Sequence, residues 1–247
     1  MSAATAGTII AGDDEMTKYF ALVPAAGSGA RMAAELPKQY LALAGRPLLY
    51  HTLKQLAASA QIERVFVVLA PGDGHFAAQD WQPFAGRLEP LFCGGATRAA
   101  SVFNGLLAVR DLVAADDWIL VHDAVRPCLP AAALARLIDT LRDDDAGGLL
   151  ALPVVDTIKR ADADGRVRQT ESRDSLWQAQ TPQMFRYRVL LEALRAIDPA
   201  LATDEASAIE RLGLHPRLVM GDTRNLKVTY PQDLEMATMI LNSTGGA

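Results

Sequence analysis

The chain has 247 residues, half of them apolar, which suits one large α/β domain or two small ones with a sizeable core. Its formal net charge of −5 argues against a general nucleic-acid binder, so any basic binding site must be local. The two cysteines are too few for a disulfide framework or a zinc cluster, and we expect them to stay reduced.

The first segment, residues 1–17, consists mainly of Ala, Gly, Thr and acidic residues. It lacks the basic start and the apolar core of a signal peptide, so we expect a disordered tail and a cytoplasmic protein. No apolar run in the sequence approaches the ~20 residues that a membrane-spanning helix needs. Residues 18–247 contain no linker and no internal repeat, and we expect them to form a single domain.

The first predicted strand is the apolar run 19–23, which a proline ends. A loop of small residues follows, from Ala25 to Gly29, and such a loop lets backbone N–H groups come close to an anion. Arg31 and Lys38 add positive charge, so we predict a polyphosphate site. The loop lacks the Gly-Lys-Ser/Thr of a Walker loop, and Met32 stands where the dinucleotide fingerprint needs a third glycine. An ordinary strand-to-helix turn is the alternative interpretation.

Helices and strands alternate after this loop. Periodic apolar residues predict helices at 47–60, 97–110 and 130–141, and short apolar runs predict strands at 64–70, 88–93, 118–121 and 147–155. Strands that are apolar throughout are typical of a mostly parallel sheet with both faces covered. In such sheets ligands bind beyond the carboxyl ends of the strands.

The alternation breaks between Asp156 and Ala179. Asp164-Gly165 lies there between two short polar segments, a pattern that predicts an exposed β-hairpin, which we call the arm and place at about 156–180. A hairpin that leaves its domain cannot bury both of its faces alone, so we expect it to pack against a second subunit in a symmetric dimer. A solvated flap is the alternative.

Regular α/β character returns after the arm. The pattern predicts helices at 186–197, at 207–212 and from Pro231 to about 241, with strands at 217–220 and 225–228. Thr203-Asp204-Glu205 supplies a helix start, and we interpret it as a cap rather than as a catalytic group.

Two further motifs follow predicted strands. Gly94 to Ser101 opens a helix, where free N–H groups can meet a ligand, although a plain turn capped by Thr97 is the alternative. The motif His122-Asp123-Ala124-Val125-Arg126 ends a buried strand, where charged groups seldom lie without a partner. We expect Asp123 to lie near the Mg²⁺ of a nucleoside triphosphate, because Mg²⁺ prefers oxygen ligands and phosphates supply most of them. The alternative is an ion pair with Arg126 that supports the loop.

These motifs stand in a familiar order, which starts with Pro-Ala-Ala-Gly-x-Gly-x-Arg-Met at 24–32 and Pro-Lys-Gln-Tyr at 37–40. From residue 19 to about 240 the chain resembles the 2-C-methyl-D-erythritol 4-phosphate cytidylyltransferase family. The resemblance implies an α/β, three-layer Rossmann-like nucleotidyltransferase fold with a mostly parallel sheet and a protruding β-hairpin arm that joins a homodimer. It also implies an enzyme (EC 2.7.7.60) that uses Mg²⁺ and transfers CMP from CTP to 2-C-methyl-D-erythritol 4-phosphate, with release of diphosphate.

The resemblance also assigns site residues. The implied CTP-binding residues are Pro24, Ala25, Ala26, Gly27, Ser28, Gly29, Gly95, Arg98, Ser101, Asp123 and Ala124, with Asp123 also at the metal. The implied catalytic residues are Arg31, Lys38, Arg173 and Lys227. The implied acceptor-binding residues are Arg126, Thr157, Arg173, Thr181 and Lys227. Two positions depart from the family pattern: Ala96, where an acidic residue is common, and Val125, where alanine is usual.

Two other functions stay open at this point. A cytidylyltransferase for ribitol 5-phosphate has the same fold and differs in its acceptor pocket. A nucleotide-binding module without turnover is the second alternative, although retention of every predicted basic group argues against it.

Overall fold

The structure, a computed structural model, describes residues 17–27, 36–198 and 202–244. The predicted tail up to residue 16 and the predicted site residues Ser28, Gly29 and Arg31 lie outside the described residues.

Helices and strands alternate through most of the described chain. The strands are β1 (Tyr19–Pro24), β2 (Ala42–Leu43), β3 (Arg46–Pro47), β4 (Ile62–Val68), β5 (Leu88–Leu91), β6 (Trp118–Val121), β7 (Gly148–Pro153), β8 (Ile158–Ala161), β9 (Val167–Glu171), β10 (Trp177–Arg186) and β11 (Arg217–Met220). The helices are α1 (Leu48–Ala57), α2 (Gly74–Ala77), α3 (Arg98–Ala108), α4 (Ala131–Leu141), α5 (Tyr187–Ala196), α6 (Glu205–Glu210) and α7 (Pro231–Thr244). Two short 3-10 helices span Lys38–Tyr40 and Gln82–Phe84.

Seven strands form the central sheet in the order β11-β7-β10-β6-β1-β4-β5. The pairs β1–β4, β1–β6, β4–β5 and β7–β11 are parallel, while β10 runs antiparallel to β6 and β7. The mostly parallel sheet predicted from the apolar strands is therefore confirmed. Within the described ranges, every helix is too short or too polar to cross a lipid bilayer.

Successive residues of β1 pack into two separate cores, because side chains of a strand alternate between the faces of its sheet. Ala21 and Val23 join a cluster with leucines of α1 and α4. Phe20 and Leu22 join a second cluster with α3, α5 and α6. The molecule thus has three layers, as predicted. Helix α7 covers a smaller cluster that includes Val228 and Ala237.

Strand β10 is the main element that the sequence analysis missed. It fills the middle of the sheet between β6 and β7, although its Gln residues and Pro182 conceal a strand pattern. Gln180 and Gln183 are buried there and hydrogen bond to other segments, and the ladder to β7 is irregular between Ala179 and Gln183. The arm is consequently shorter than 156–180, because residues from Trp177 onward belong to the central sheet.

The predicted strand 225–228 was also wrong. This segment crosses the carboxyl edge of the sheet as an irregular loop, in which the Val228 N–H donates to the Val125 carbonyl at 2.9 Å. The buried Asn225 side chain donates to the Thr181 carbonyl of β10, so this contact comes from a side chain and not from a backbone ladder. The predicted helix start near residue 204 was correct, since Asp204 caps α6 through a capping box with Ser207.

Candidate active site

A cleft of about 460 Å³ opens at the carboxyl edge of the sheet, next to the ends of β1 and β6 and the loop that follows β5. Parallel neighbours end at the same edge, so loops that are far apart in sequence meet there. Nine described residues of the predicted CTP set line the cleft: Pro24, Ala25, Ala26, Gly27, Gly95, Arg98, Ser101, Asp123 and Ala124. Lys38 and Lys227 line it as well.

Hydrogen bonds to the backbone of Ala25 fix the position of the loop after β1. The Ala25 N–H donates to the Val68 carbonyl at 2.8 Å, and the buried Gln39 amide donates to the Ala25 carbonyl at 2.7 Å. Gln39 was not among the predicted site residues, yet it lines the cleft. Its hydrogen bond connects the 3-10 helix Lys38–Tyr40 to the loop after β1. Its position next to Lys38 in the Pro-Lys-Gln-Tyr motif was the available signal.

The loop after β5 packs directly against the loop after β1. A Cβ at Gly94 would lie 2.2 Å from the Ala26 Cβ and 2.8 Å from the Leu69 carbonyl oxygen, so only glycine fits there. Ser101 shapes the following turn, since its hydroxyl accepts from the Gly95 N–H at 3.0 Å and donates to the Thr97 carbonyl at 2.9 Å. The glycine motif thus brings two loops close enough to form one wall.

Thr97 is the N-cap of α3, and its hydroxyl accepts from the Ala100 N–H at 3.0 Å. The capping alternative considered from the sequence is therefore correct. It does not exclude a binding role, because Thr97 and Ala96 also line the cleft.

Three cations surround the carboxylate of Asp123. The Arg98 Nε lies 2.9 Å from its Oδ1, and the Lys227 Nζ and Arg126 Nε lie 3.0 and 3.4 Å from its Oδ2. Burial disfavours the charged carboxylate, but Arg98, Lys227 and Arg126 outweigh this effect and hold the pKa of Asp123 well below its usual range. The ion pair with Arg126 considered above is therefore present as one part of a larger cluster.

His122 lies behind this cluster and is completely buried. The Thr181 hydroxyl accepts from the Asp123 N–H at 3.0 Å, and it lies 2.9 Å from the His122 Nδ1. The His122 Nε2 lies 3.2 Å from the Arg126 carbonyl, which assigns the proton to Nε2. Burial lowers the pKa of His122 to about 4, so the ring is neutral and structural at pH 7.

Two of the predicted acceptor-binding residues lie beneath the cleft surface. Thr181 is buried, and both neighbours of its hydroxyl belong to the protein. The Arg126 side chain is also buried and donates to the Asn225 carbonyl at 2.7 Å. In this chain both residues hold the Asp123 loop in place rather than present free groups to the cleft.

The predicted arm residues lie apart from the cleft. Thr157 precedes β8 and is exposed, while Arg173 follows β9 and donates to the carbonyl of Val155. Neither lines the cleft of its own chain. Lys227 is the acceptor-side residue that the structure does place there, with its side chain 47% exposed.

Glu205 is a charged group that the sequence analysis did not assign to the site. It is 1% exposed, and its two carboxylate oxygens accept from the Arg98 guanidinium at 2.6 and 3.1 Å. Burial raises the pKa of Glu205, while the bonds from Arg98 favour its charged form. The sequence hid this role, because an acidic residue in the first helical turn is also what a helix dipole favours.

The described side chains of the cleft offer few of the oxygen ligands that Mg²⁺ prefers. Among the described residues, no cluster of three or more His, Cys, Asp or Glu side chains could hold a metal by itself. Asp123 offers one carboxylate, which suits an ion that takes most of its ligands from phosphates and water. The residues therefore fit a metal that arrives with a polyphosphate, and they do not form a complete protein site.

Comparisons with known proteins agree along almost the whole chain. A family model described as "IspD: 2-C-methyl-D-erythritol 4-phosphate cytidylyltransferase" matches residues 19–243. The protein of that name from Laribacter hongkongensis is 62% identical over 227 residues, which cover 92% of this chain and 97% of the relative. The one from Nitrosospira multiformis is 56% identical over 230 residues, which cover 92% and 99%.

Solved structures show the same similarity in three dimensions. A crystal structure of a 4-diphosphocytidyl-2C-methyl-D-erythritol synthase matches with a TM-score of 0.82 at 41% identity, covering 92% of this chain and 99% of that chain. The 2-C-methyl-D-erythritol 4-phosphate cytidylyltransferase of Francisella tularensis matches with a TM-score of 0.76 at 32% identity, covering 91% and 100%. Because sequence and structure agree from the first strand to the last helix, the chain belongs to the 2-C-methyl-D-erythritol 4-phosphate cytidylyltransferase family.

Proposed function

We propose that this chain transfers CMP from CTP to 2-C-methyl-D-erythritol 4-phosphate, which yields 4-diphosphocytidyl-2-C-methyl-D-erythritol and diphosphate for isoprenoid synthesis. The observation that carries the proposal is the cleft in which Lys38, Lys227 and the Asp123 cluster meet beside the glycine loops. This cleft lies in a chain whose family and close relatives are named for that reaction. None of the relatives reported above is named for ribitol phosphate.

The reaction is a nucleotidyl transfer between two anions. A phosphate oxygen of the acceptor forms a bond to the α-phosphorus of CTP, and the bond from that phosphorus to the leaving diphosphate breaks. A phosphate monoester is already an anion at neutral pH, so the attack needs no general base. Two unit charges roughly 4 Å apart repel each other by about 4 kcal/mol at an effective dielectric constant near 20, so fixed cations must offset this repulsion.

The positively charged side chains have separate roles in the proposed reaction. In our proposal Lys38, together with Arg31, stabilises the transition state and the leaving diphosphate. Lys227 binds the attacking phosphate, together with Arg173. Backbone N–H groups of the loop after β1 bind the triphosphate, because the small residues Ala26 and Gly27 let it approach the backbone closely, while the Ala25 N–H already donates to the Val68 carbonyl.

We further propose that Mg²⁺ enters the cleft with CTP and that Asp123 is its protein ligand. Mg²⁺ would neutralise part of the triphosphate charge when bound. Arg98 and the Thr181 hydroxyl hold the Asp123 carboxylate and its backbone in place. One carboxylate is enough for this role when phosphates complete the ligand set.

The acceptor site requires a second copy of the chain in our proposal. Thr157 and Arg173 lie at the base of the exposed arm and not in the cleft of the same chain. A homodimer joined through the arms would bring them to the cleft of the neighbouring subunit, where they would bind the acceptor phosphate and hydroxyls. We also propose a cytoplasmic location, where CTP is available.

An assay of released diphosphate tests the proposed function. The protein is incubated with CTP, Mg²⁺ and either 2-C-methyl-D-erythritol 4-phosphate or ribitol 5-phosphate. We expect the first acceptor to react at least about 100-fold more efficiently, since a site that hydrogen bonds one polyol leaves groups unpaired with another. Faster reaction with ribitol 5-phosphate, or release with neither acceptor, would overturn the proposal.

A further inference from the structure

The buried pair between Glu205 and Arg98 joins helix α6 to the start of helix α3. Glu205 is 1% exposed, and a buried carboxylate is stable only when a partner donates hydrogen bonds to it. Both of its oxygens accept from the two terminal nitrogens of Arg98, at 2.6 and 3.1 Å. This two-point contact fixes the plane of the guanidinium as well as its position.

Another donor in the same plane, the Nε–H of Arg98, points at Asp123. The Nε lies 2.9 Å from the Asp123 Oδ1. Because the guanidinium is rigid, the contact with Glu205 also determines where this Nε lies. The orientation of the Asp123 carboxylate in the cleft thus depends on a residue 82 positions later in the chain that does not line the cleft.

Helix α6 is held in place without the Glu205 carboxylate. The Gln183 side chain donates to the Asp204 Oδ2 at 2.9 Å and accepts from the Ala206 N–H at 2.8 Å. The capping box between Asp204 and Ser207 stabilises the first turn of the helix. The Glu205 carboxylate is therefore not needed to anchor α6, so its remaining task is the contact with Arg98.

We infer that Glu205 is a positioning residue of the nucleotide site, which sets the orientation of Asp123 through Arg98. This inference rests on the proposed function only for the identity of the ligand, CTP. Without the Glu205 carboxylate, Arg98 can rotate, and Asp123 then turns toward Lys227 and Arg126, which hold its other oxygen. The carboxylate no longer presents the same face to the nucleotide.

The variants Glu205→Gln and Glu205→Asp test this inference, with CTP and Mg²⁺ as the probe. Calorimetric titration without acceptor should show that each raises the Kd of CTP by about 10- to 100-fold, because a displaced supporting partner typically has effects of this size. Glu205→Gln keeps the shape but replaces one acceptor with a donor that faces Arg98. Glu205→Asp keeps the buried charge but is one methylene shorter, so it cannot hold both terminal nitrogens of Arg98 in the same place. Because it leaves Arg98 a charged partner, we expect it to fold even if the glutamine variant does not.

Glu89→Gln is the matched control. Glu89 pairs with Arg64 at 2.7 Å on β4 and β5 and does not line the cleft, so its loss removes one ion pair without touching the site. We expect its CTP affinity to equal that of the unsubstituted chain. Thermal unfolding of all variants identifies any that lose affinity through loss of fold.

Repeating the Glu205→Gln substitution in a chain that already carries Asp123→Asn separates an effect on the position of Asp123 from a general effect on structure. In an Asp123→Asn chain, the Glu205→Gln substitution should change the Kd of CTP by less than about twofold, because the two residues act through one path. Folded Glu205 variants that bind CTP like the unsubstituted chain would overturn the inference, as would an equal loss of affinity in both backgrounds. If the unsubstituted chain binds CTP but releases no diphosphate, the proposed function fails while the role of Glu205 is still decided.

Discussion

At the scale of single residues, the chemistry of the cleft depends on how positive charge is distributed around one carboxylate. Asp123 is balanced by Arg98, Lys227 and Arg126, and with Glu205 the cluster holds three cations and two anions. The surplus of one positive charge, with Lys38 nearby on the cleft wall, favours anionic ligands. A chain with a net charge of −5 thus has a local surplus of positive charge at the cleft.

The substitution Lys38→Ala tests the role of the positive charge on the cleft wall. We expect kcat to fall by about 100-fold with a much smaller rise in the KM for CTP, because a cation that stabilises developing charge acts mainly in the transition state. Steady-state release of diphosphate measures both constants. Arg188→Gln removes an equal charge near the opposite edge of the sheet, where Arg188 pairs with Asp116 at 2.7 Å, and should leave both unchanged. An unchanged kcat in Lys38→Ala would contradict the assigned role.

His122 gives a prediction for stability against pH. Its pKa is lowered by burial from 6.5 to about 4, so the unfolded chain binds more protons than the folded chain between these values. Stability should therefore fall as pH falls from 6.5 to 4, by about 3 kcal/mol from this residue. Urea unfolding at several pH values measures the slope. In His122→Gln the slope across this window should be smaller, and an identical slope would show that His122 is not its source.

At the scale of elements, the site exists because two glycine-containing loops touch. Gly94 lets the loop after β5 approach Ala26 in the loop after β1, and its N–H donates to the Leu69 carbonyl at 2.8 Å. A side chain at this position has no room unless the two loops separate. The contact between these loops thus connects the packing of two strands to the shape of the cleft.

Gly94→Ala should separate these loops. We expect a loss of about 1–3 kcal/mol of stability, together with a higher KM for CTP, because the added methyl group overlaps Ala26 and the backbone. Denaturant unfolding and steady-state kinetics measure the two effects. Gly74→Ala is the control, since a Cβ at Gly74 meets nothing within 4 Å. A Gly94→Ala chain with unchanged stability would show that the loops adapt freely.

The arm supplies the second prediction at this scale. Arg173→Ala should raise the KM for the acceptor by about 10-fold or more and leave the KM for CTP nearly unchanged, because a hydrogen bond between charged groups is lost only at the acceptor phosphate. Kinetics at varied concentrations of each substrate make the distinction. Arg166→Ala removes an exposed charge at the arm's turn and serves as the control. Impaired use of CTP with a normal acceptor KM would show that the arm was assigned to the wrong substrate.

At the scale of the whole molecule, the arm is a two-stranded hairpin that its own domain does not cover. Among the strands that the structure describes, β8 and β9 pair only with each other, and seven of their nine residues are exposed. Val155 and Val167 are among the exposed large apolar residues, at 74% and 63%. An isolated hairpin is marginally stable in water, which favours the proposed packing against a second subunit.

Val167→Asp tests the proposed dimer. We expect the mass in solution to fall from twice 26.5 kDa toward 26.5 kDa, with loss of activity, because a charge would replace apolar contact between arms. Light scattering after size-exclusion chromatography measures the mass. Met239→Asp changes another exposed apolar residue, on α7, and should keep the dimer. A native chain that is already monomeric and fully active would exclude a shared acceptor site.

Local patterns predicted most elements, because apolar periodicity and turn residues act within short segments. Strands β6 and β11 begin and end where the sequence places them, and the helix bounds differ by only a few residues. The sequence failed at β10, where buried glutamines and Pro182 conceal a central strand. It failed again at 225–228, where a short segment is held by single contacts rather than by a ladder. In both places tertiary partners outweigh local propensity.

The sequence by itself determined the layered α/β architecture, the loops that form the cleft and the family, since each depends on residue types at short spacing. Only the tertiary structure decided how the charged groups share their partners. Thr181 and Arg126 turn out to support the Asp123 loop, and Glu205 reaches Arg98 across 107 positions. Such contacts depend on how distant segments pack, and burial then leaves each charged group only the partner that packing brings to it.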